Sequence, residues 1–425
     1  MWFLRQFVTQ IGRNDVVHKD VMSFVRFICK QGRYAMSFSL FGILTILFSC
    51  STAETTETAE TQTTQTETAV TTPVPEPGCE DAMFLSRPAD LAARGPWPVG
   101  AKTVTVAGLH TEVFYPAAIG SESAAEMKQY DPRGALPKSE AALVSDADNT
   151  YQDCDCYDDL PIDSDYGPYP VILFVHGTAS WETQSLTQMV HWASRGFVVL
   201  SARHPGLFLG DTLAFICPFD ATGVQDLSGD IRGILSEVRK PVNELAFLAG
   251  YIDTERIALT GHSAGGYAVT EEHDLEGVQV VIPMASGGAV SADASTTSLF
   301  LGGESDAVVP YTDTQDAYMQ SSGQKWLLGI TNAGHLAFSD ICELTNAAGE
   351  NLVTVAQNAG VCGTEFAALL FDCNPSYVDP VIANDIINSS SSGVLESVLQ
   401  CADIGTALDE LPITYPEIGE YEYTQ

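Results

Sequence analysis

The chain has 425 residues, 45% of them hydrophobic, which is enough for one large domain with a full core. Against 19 Lys and Arg stand 55 Asp and Glu, a formal charge of -36. Such a surface repels nucleic acid and anionic lipid, so neither is an expected partner, and no internal repeat points to an array of small binding units.

Residues 1–49 read as a secretory signal. Arg26, Lys30 and Arg33 precede an apolar run from Met36 to Phe48, whose thirteen residues are too few to span a bilayer. Met22 is an alternative start that leaves this pattern whole. Leu47-Phe-Ser-Cys50 matches bacterial lipoprotein signals, which predicts lipidation of Cys50, export, and an anchor in the cell envelope; plain secretion with cleavage slightly downstream is the alternative. Residues 50–78 are rich in Thr and Glu and end in Pro-Val-Pro-Glu-Pro, without the apolar residues that repay the entropy of folding. They read as a tether. Six of the basic and two of the acidic residues lie in 1–49, so the remainder carries a formal charge of -40. That charge fits a salt-rich environment, or ordinary acidic solubility.

Residues 79–425 hold the domain, and its apolar runs predict strands near 102–107, 111–115, 170–175, 196–201, 256–260, 278–283, 298–302 and 325–331. Helical patterns lie between most of them from the third onward. A long polar insertion occupies 117–169, and a helical, Cys-containing extension is expected at 346–425.

The fifth predicted strand runs into Gly261-His-Ser-Ala-Gly265 and then small residues that open a helix. A sharp strand-to-helix turn forces its serine into a strained conformation and needs small neighbours, so Ser263 is the candidate nucleophile. A serine hydroxyl needs a general base, and the base needs a third group to hold its tautomer. In hydrolases built this way the acid and then the histidine follow the serine. His273 comes ten residues after Ser263, before any plausible acid, which leaves His335, in the loop after the strand ending at Thr331. The acid is expected after Ser298-Leu-Phe-Leu-Gly302, where Asp306 is the choice and Glu304 the runner-up. The oxyanion of acyl transfer needs amide donors. Ala264 N-H is one, and Thr178 N-H, after the run Val171-Ile-Leu-Phe-Val-His176-Gly177, is the other. His176 and His262 sit beside glycines at strand ends and are read as shaping these turns. Trp181 and Phe208 are candidates to line the pocket, with simple packing as the alternative.

Eight mostly parallel strands flanked by helices, with the nucleophile after the fifth, describe an α/β-hydrolase fold. Gly95-Pro-Trp-Pro-Val-Gly100, Thr103-Val-Thr-Val106, Glu112-Val-Phe-Tyr-Pro116, the His-Gly turn, Ala202-Arg-His-Pro-Gly206 and the Ser263, Asp306 and His335 positions resemble the predicted dienelactone-hydrolase group. That group is related to platelet-activating-factor acetylhydrolases and cutinase-like polyester hydrolases, and the resemblance covers about residues 95–345. It implies a serine ester hydrolase without cofactor or metal. Two departures stand out. Dienelactone hydrolases proper use a cysteine where this chain has Ser263. The polyester hydrolases carry aromatic residues where this chain has Thr178 and Ala285-Ser-Gly-Gly288.

Only about fifteen residues separate Pro283 from Ser298, so no large cap is expected after the sixth strand. An open site for small or exposed acyl esters, lipids included, follows, unless 117–169 folds over it. Contact with the membrane is expected through the lipid anchor alone, and the chain is expected to be a monomer. A polyester depolymerase, and a catalytically silent binding protein on the same fold, are the alternatives. Asp153-Cys-Asp-Cys-Tyr-Asp-Asp159 lacks the glycine and spacing of a calcium loop, and Cys154 with Cys156 is a weak zinc pair; both metal readings are minor alternatives. Setting aside Cys29 and Cys50, eight cysteines remain, an even number that predicts disulfides in an exported protein. Cys342, Cys362, Cys373 and Cys401 are expected to pair among themselves.

Overall fold

The computed structural model describes residues 79, 81–218, 223–291 and 295–425. The predicted signal, Cys50 and the whole tether lie outside the described residues. Eleven strands are present among those described: β1 (Val99–Val106), β2 (Leu109–Pro116), β3 (Met127–Tyr130), β4 (Gln152–Asp158), β5 (Tyr169–Val175), β6 (Val198–Ala202), β7 (Ile252–His262), β8 (Val278–Met284), β9 (Thr297–Gly303), β10 (Lys325–Ile330) and β11 (Ile418–Thr424). They form one sheet in the order β11-β10-β9-β8-β7-β5-β6-β2-β1-β4-β3. The stretch from β10 to β6 is parallel throughout; β11, β2 and β3 run antiparallel to the neighbours they join.

Every residue of β5 is buried, as a central parallel strand covered on both faces requires. Its side chains alternate between two cores. Ile172 and Phe174 join one, while Val171, Leu173 and Val175 join the other. Over the first face lie α1 (Leu186–Ser194) and the long α6 (Pro380–Leu399), packed through Met189, Trp192, Ile386 and Val394. Over the second lie α2 (Leu227–Val238), α3 (Ala264–Glu271) and α4 (Tyr311–Gln320), through Ile231, Ile234, Val269 and Tyr318.

All eight predicted strands lie in this sheet, and three more extend it. The insertion supplies β3 and β4. In β4 the buried side chains Gln152, Cys154 and Cys156 alternate with exposed Asp153 and Asp155, so half of the strand is acidic and reads as loop. The extension is helical only in part. It contains α5 (Leu352–Ala359) and α6, then ends in β11, whose Glu420 and Glu422 occupy a sheet edge where charge discourages further pairing. Between β8 and β9 the described residues contain no helix.

Four disulfides link Cys79–Cys401, Cys154–Cys156, Cys217–Cys362 and Cys342–Cys373. This corrects the expected pairing: of the four C-terminal cysteines only Cys342 and Cys373 join each other. The extension is not a separate bundle. It runs back across the domain, so Cys362 meets the segment after β6 and Cys401 meets the N-terminal strap. The Cys154–Cys156 bond also removes both thiolates from any zinc site, and the nearby carboxylates have partners: Asp153 accepts from Gln129, Asp155 from Arg94 and Asp159 from Lys102. Four disulfides are the habit of chains that fold outside the reducing cytosol. No helix among the described residues is long and apolar enough to cross a membrane.

Candidate active site

The turn from β7 into α3 places Ser263 at φ 55° and ψ -117°, a region that side chains rarely adopt. Main-chain approach on both sides holds it there. Ser263 N donates to Met284 O at 2.9 Å, tying the turn to the end of β8. A methyl group on Gly265 would lie 2.1 Å from Val175 O, and one on Gly261 would lie 2.6 Å from the Gly265 carbonyl carbon. Both positions therefore require glycine. The Ser263 hydroxyl makes no cap on α3, although serine at that position ordinarily bonds an amide of the first turn. It is left free for other work.

His335 opens the turn after β10, and its Nδ1 lies 2.7 Å from Asp306 Oδ2, with both side chains almost fully buried. Asp306 Oδ1 accepts from Val308 N and Val309 N, each at 2.8 Å, so the carboxylate is fixed before the imidazole arrives. With its carboxylate partner, Nδ1 carries the proton and Nε2 is left as the basic nitrogen. Glu304 instead accepts from Thr331 Oγ1 at 3.2 Å and does not orient the histidine.

His262 joins these two parts. Its Nε2 lies 2.9 Å from the His335 carbonyl, which can only accept, so Nε2 bears the proton. Burial, and then the neighbouring His335, holds the His262 ring well below the ordinary histidine value, so it is neutral. The two rings are 4.6 Å apart, so the residue that precedes Ser263 packs directly against the imidazole of His335.

The loop after β5 closes the other side. A methyl on Gly177 would lie 2.8 Å from His262 Nδ1 and 3.3 Å from Ser263 Cβ, so this loop runs directly against the serine. Gly177 N donates to Gln184 Oε1 at 2.8 Å and Ala179 N to Leu207 O at 2.9 Å. Between them, Thr178 N donates to no described residue, and neither does Ala264 N at the start of α3. Two unpaired amides thus flank one serine. His176 keeps the loop in shape: Nδ1 donates to Gly177 O at 2.8 Å and Nε2 accepts from His204 N at 3.2 Å. Burial pushes His176 down to about 3, so it stays neutral in this role.

Trp181 and Phe208 are brought together in one apolar cluster with Leu336, the neighbour of His335. Arg203 fixes this wall, stacking 4.3 Å from the Phe208 ring centre while its fork grips Glu182 at 2.6 and 2.9 Å. Burial opposes the Glu182 charge, yet the bonds from His110 and Arg203 bring it down to about 2. Sequence reasoning noted Gly177 only as part of the His-Gly turn, and missed Gln184 and the reach of His262 to His335. The contact between residues 262 and 335 leaves no local trace, whereas a glycine directly before a candidate oxyanion amide was a readable sign. The chain matches no known protein-family model and no curated protein.

Proposed function

We propose that this protein is a serine carboxylic ester hydrolase of the α/β-hydrolase type, exported and tethered through Cys50, acting on small or exposed acyl esters. The reading is carried by one observation: a buried His335–Asp306 pair whose imidazole packs against His262, the residue before a strained serine with the unpaired Ala264 and Thr178 amides in the adjoining turns. A structural turn needs none of these together.

Ser263 Oγ attacks the ester carbonyl while His335 Nε2 takes its proton. The tetrahedral oxyanion accepts from Thr178 N and Ala264 N, each such donor being worth roughly 10²–10³ in rate. Collapse breaks the bond to the alcohol oxygen, which leaves with the proton from His335. Water, deprotonated by His335, then attacks the acyl-enzyme, and Ser263 regains its proton as the acid departs. Asp306 holds the Nδ1–H tautomer and offsets the imidazolium charge in both halves. The route draws on no cofactor.

The test is labelling by a fluorophosphonate and turnover of p-nitrophenyl acetate, beside Ser263→Ala. Labelling of the wild type alone, with a loss of roughly 10⁴-fold or more in the variant, is expected. Equal inertness of two folded proteins would remove the hydrolase reading.

A further inference from the structure

Against the loop after β5 lies an apolar cavity that opens to solvent. Three stretches distant in sequence build it. Leu136 and Val144 come from the insertion, Leu213 and Ile216 from the segment after β6, and Val355 and Phe371 from the extension. The Cys217–Cys362 disulfide ties the second stretch to the third. None of this belongs to the strands that position the triad.

At one end the cavity reaches the loop after β5. Ala179 and Trp181 line it, and Ala179 follows the residue whose amide is unpaired. The Trp181 cluster also runs from Leu336, beside His335, to Leu352 and Phe371 in the cavity wall. At the other end the rim is apolar and wet, with Ile216 48% and Phe366 47% exposed. Large side chains left in water around a concave opening mark a binding surface. The one charged group in the lining is not free to select a headgroup, because Arg133 is paired with Asp131 and Asp146. An ion has nothing to meet here; a hydrocarbon has.

We infer that this cavity binds the unbranched aliphatic chain of the ester whose carbonyl sits at Ser263, making the enzyme selective for medium or long chains. The inference rests on the hydrolase reading and adds its substrate class. It also revises the open site expected from the short 284–297 connection, since the insertion and the extension supply the walls, and it narrows the small or exposed acyl esters of that reading to those with a medium or long chain. Each methylene moved from water into such a lining is worth about fourfold in binding. Four more of them set a ceiling of roughly 200-fold between butyrate and octanoate.

The experiment has two arms on the full domain. The first compares kcat/KM for p-nitrophenyl acetate, butyrate and octanoate in the wild type and in Ile216→Asp, with circular dichroism as the folding control. Octanoate is expected to exceed butyrate by about tenfold or more, and Ile216→Asp to reduce the octanoate-to-acetate ratio by about tenfold. The second arm needs no turnover. In Ser263→Ala protein, ethyl 8-bromooctanoate and 8-bromooctyl acetate are tested as quenchers of tryptophan fluorescence, with and without Trp181→Phe. Quenching that disappears with Trp181 supports the inference, and the quenching ester shows whether the chain belongs to the acid or the alcohol. A wild type that turns over acetate best, an unchanged ratio in Ile216→Asp and no Trp181-dependent quenching would overturn the inference while leaving the hydrolase reading intact. Trp181-dependent quenching without any labelling or turnover would do the reverse.

Discussion

Asp340 offers a quantitative test of how the insertion is held to the site. It is 6% exposed. Its Oδ2 accepts from Thr187 N at 2.9 Å, at the start of α1, and lies 3.3 Å from Gln152 Nε2 in β4, while Oδ1 has no partner. Burial outweighs these bonds and pushes the carboxyl up to about 6. A folded value above the unfolded one, near 3.9, means the favourable contribution is complete below about pH 4 and is lost as pH rises through 6. At neutral pH the charged form is disfavoured by up to about 3 kcal/mol, a ceiling that relaxation and water entry reduce. Asp340→Asn keeps an acceptor for both donors and removes the charge. Its amide nitrogen replaces the unpartnered Oδ1 at a cost that does not vary with pH, so the informative quantity is the slope. In guanidinium unfolding from about pH 4 to about pH 8, stability of the variant minus that of the wild type should rise by about 1–3 kcal/mol, mostly between about pH 4 and 6, and level off above. The Asp340 charge also contributes, after burial, to raising Glu343 to about 7, and removing it acts in the same direction. A difference that stays flat, or that falls with pH, would show that the ionised carboxylate is needed at α1 and refute the reasoning.

Three further outcomes follow from the geometry. Asp306→Asn leaves a neutral partner at His335 Nδ1 and favours the wrong tautomer, so kcat for p-nitrophenyl acetate should fall by about 10⁴ with the fold intact by circular dichroism; a loss under tenfold would remove Asp306 from the triad. Gly265→Ala drives a methyl against the Val175 carbonyl 2.1 Å away, where only backbone can yield. It should lower stability by about 3 kcal/mol or more and abolish turnover, and a variant with the wild-type thermal midpoint would refute that packing. Cys79→Ser with Cys401→Ser opens a loop of sequence separation 322 and should cost about 2–5 kcal/mol in denaturant unfolding, while fluorophosphonate labelling of the folded fraction persists.

What could be read from the sequence and what could not divide along a physical line. The strands from β5 to β10 are legible because burial on both faces writes continuous apolar runs, and Ser263 is legible because the strained turn demands Gly261 and Gly265 within a few residues. His335 follows by elimination, and Asp306 by its place after β9. β4 was hidden by Asp153 and Asp155 on its exposed face, and β11 by Glu420 and Glu422 at the edge. The cysteine pairing was hidden for another reason. Loop closure costs little more for a long loop than for a short one, so sequence distance does not favour Cys342, Cys362, Cys373 and Cys401 pairing locally.

The same line separates reaction from selectivity. Ser263, the Thr178 and Ala264 amides and the His335–Asp306 pair are set by turns at strand ends, where a few residues decide the main-chain path. Apart from Ala179 and Trp181, the cavity walls are instead contributed by residues 132–150, 209–216 and 352–371, the last two joined by the Cys217–Cys362 bond. Changes in those three stretches can alter which chain is bound without moving the reacting atoms, because no strand that carries the triad passes through them. On the proposed reading, the insertion and the extension, the parts least readable as structure, are where the choice of substrate would be made.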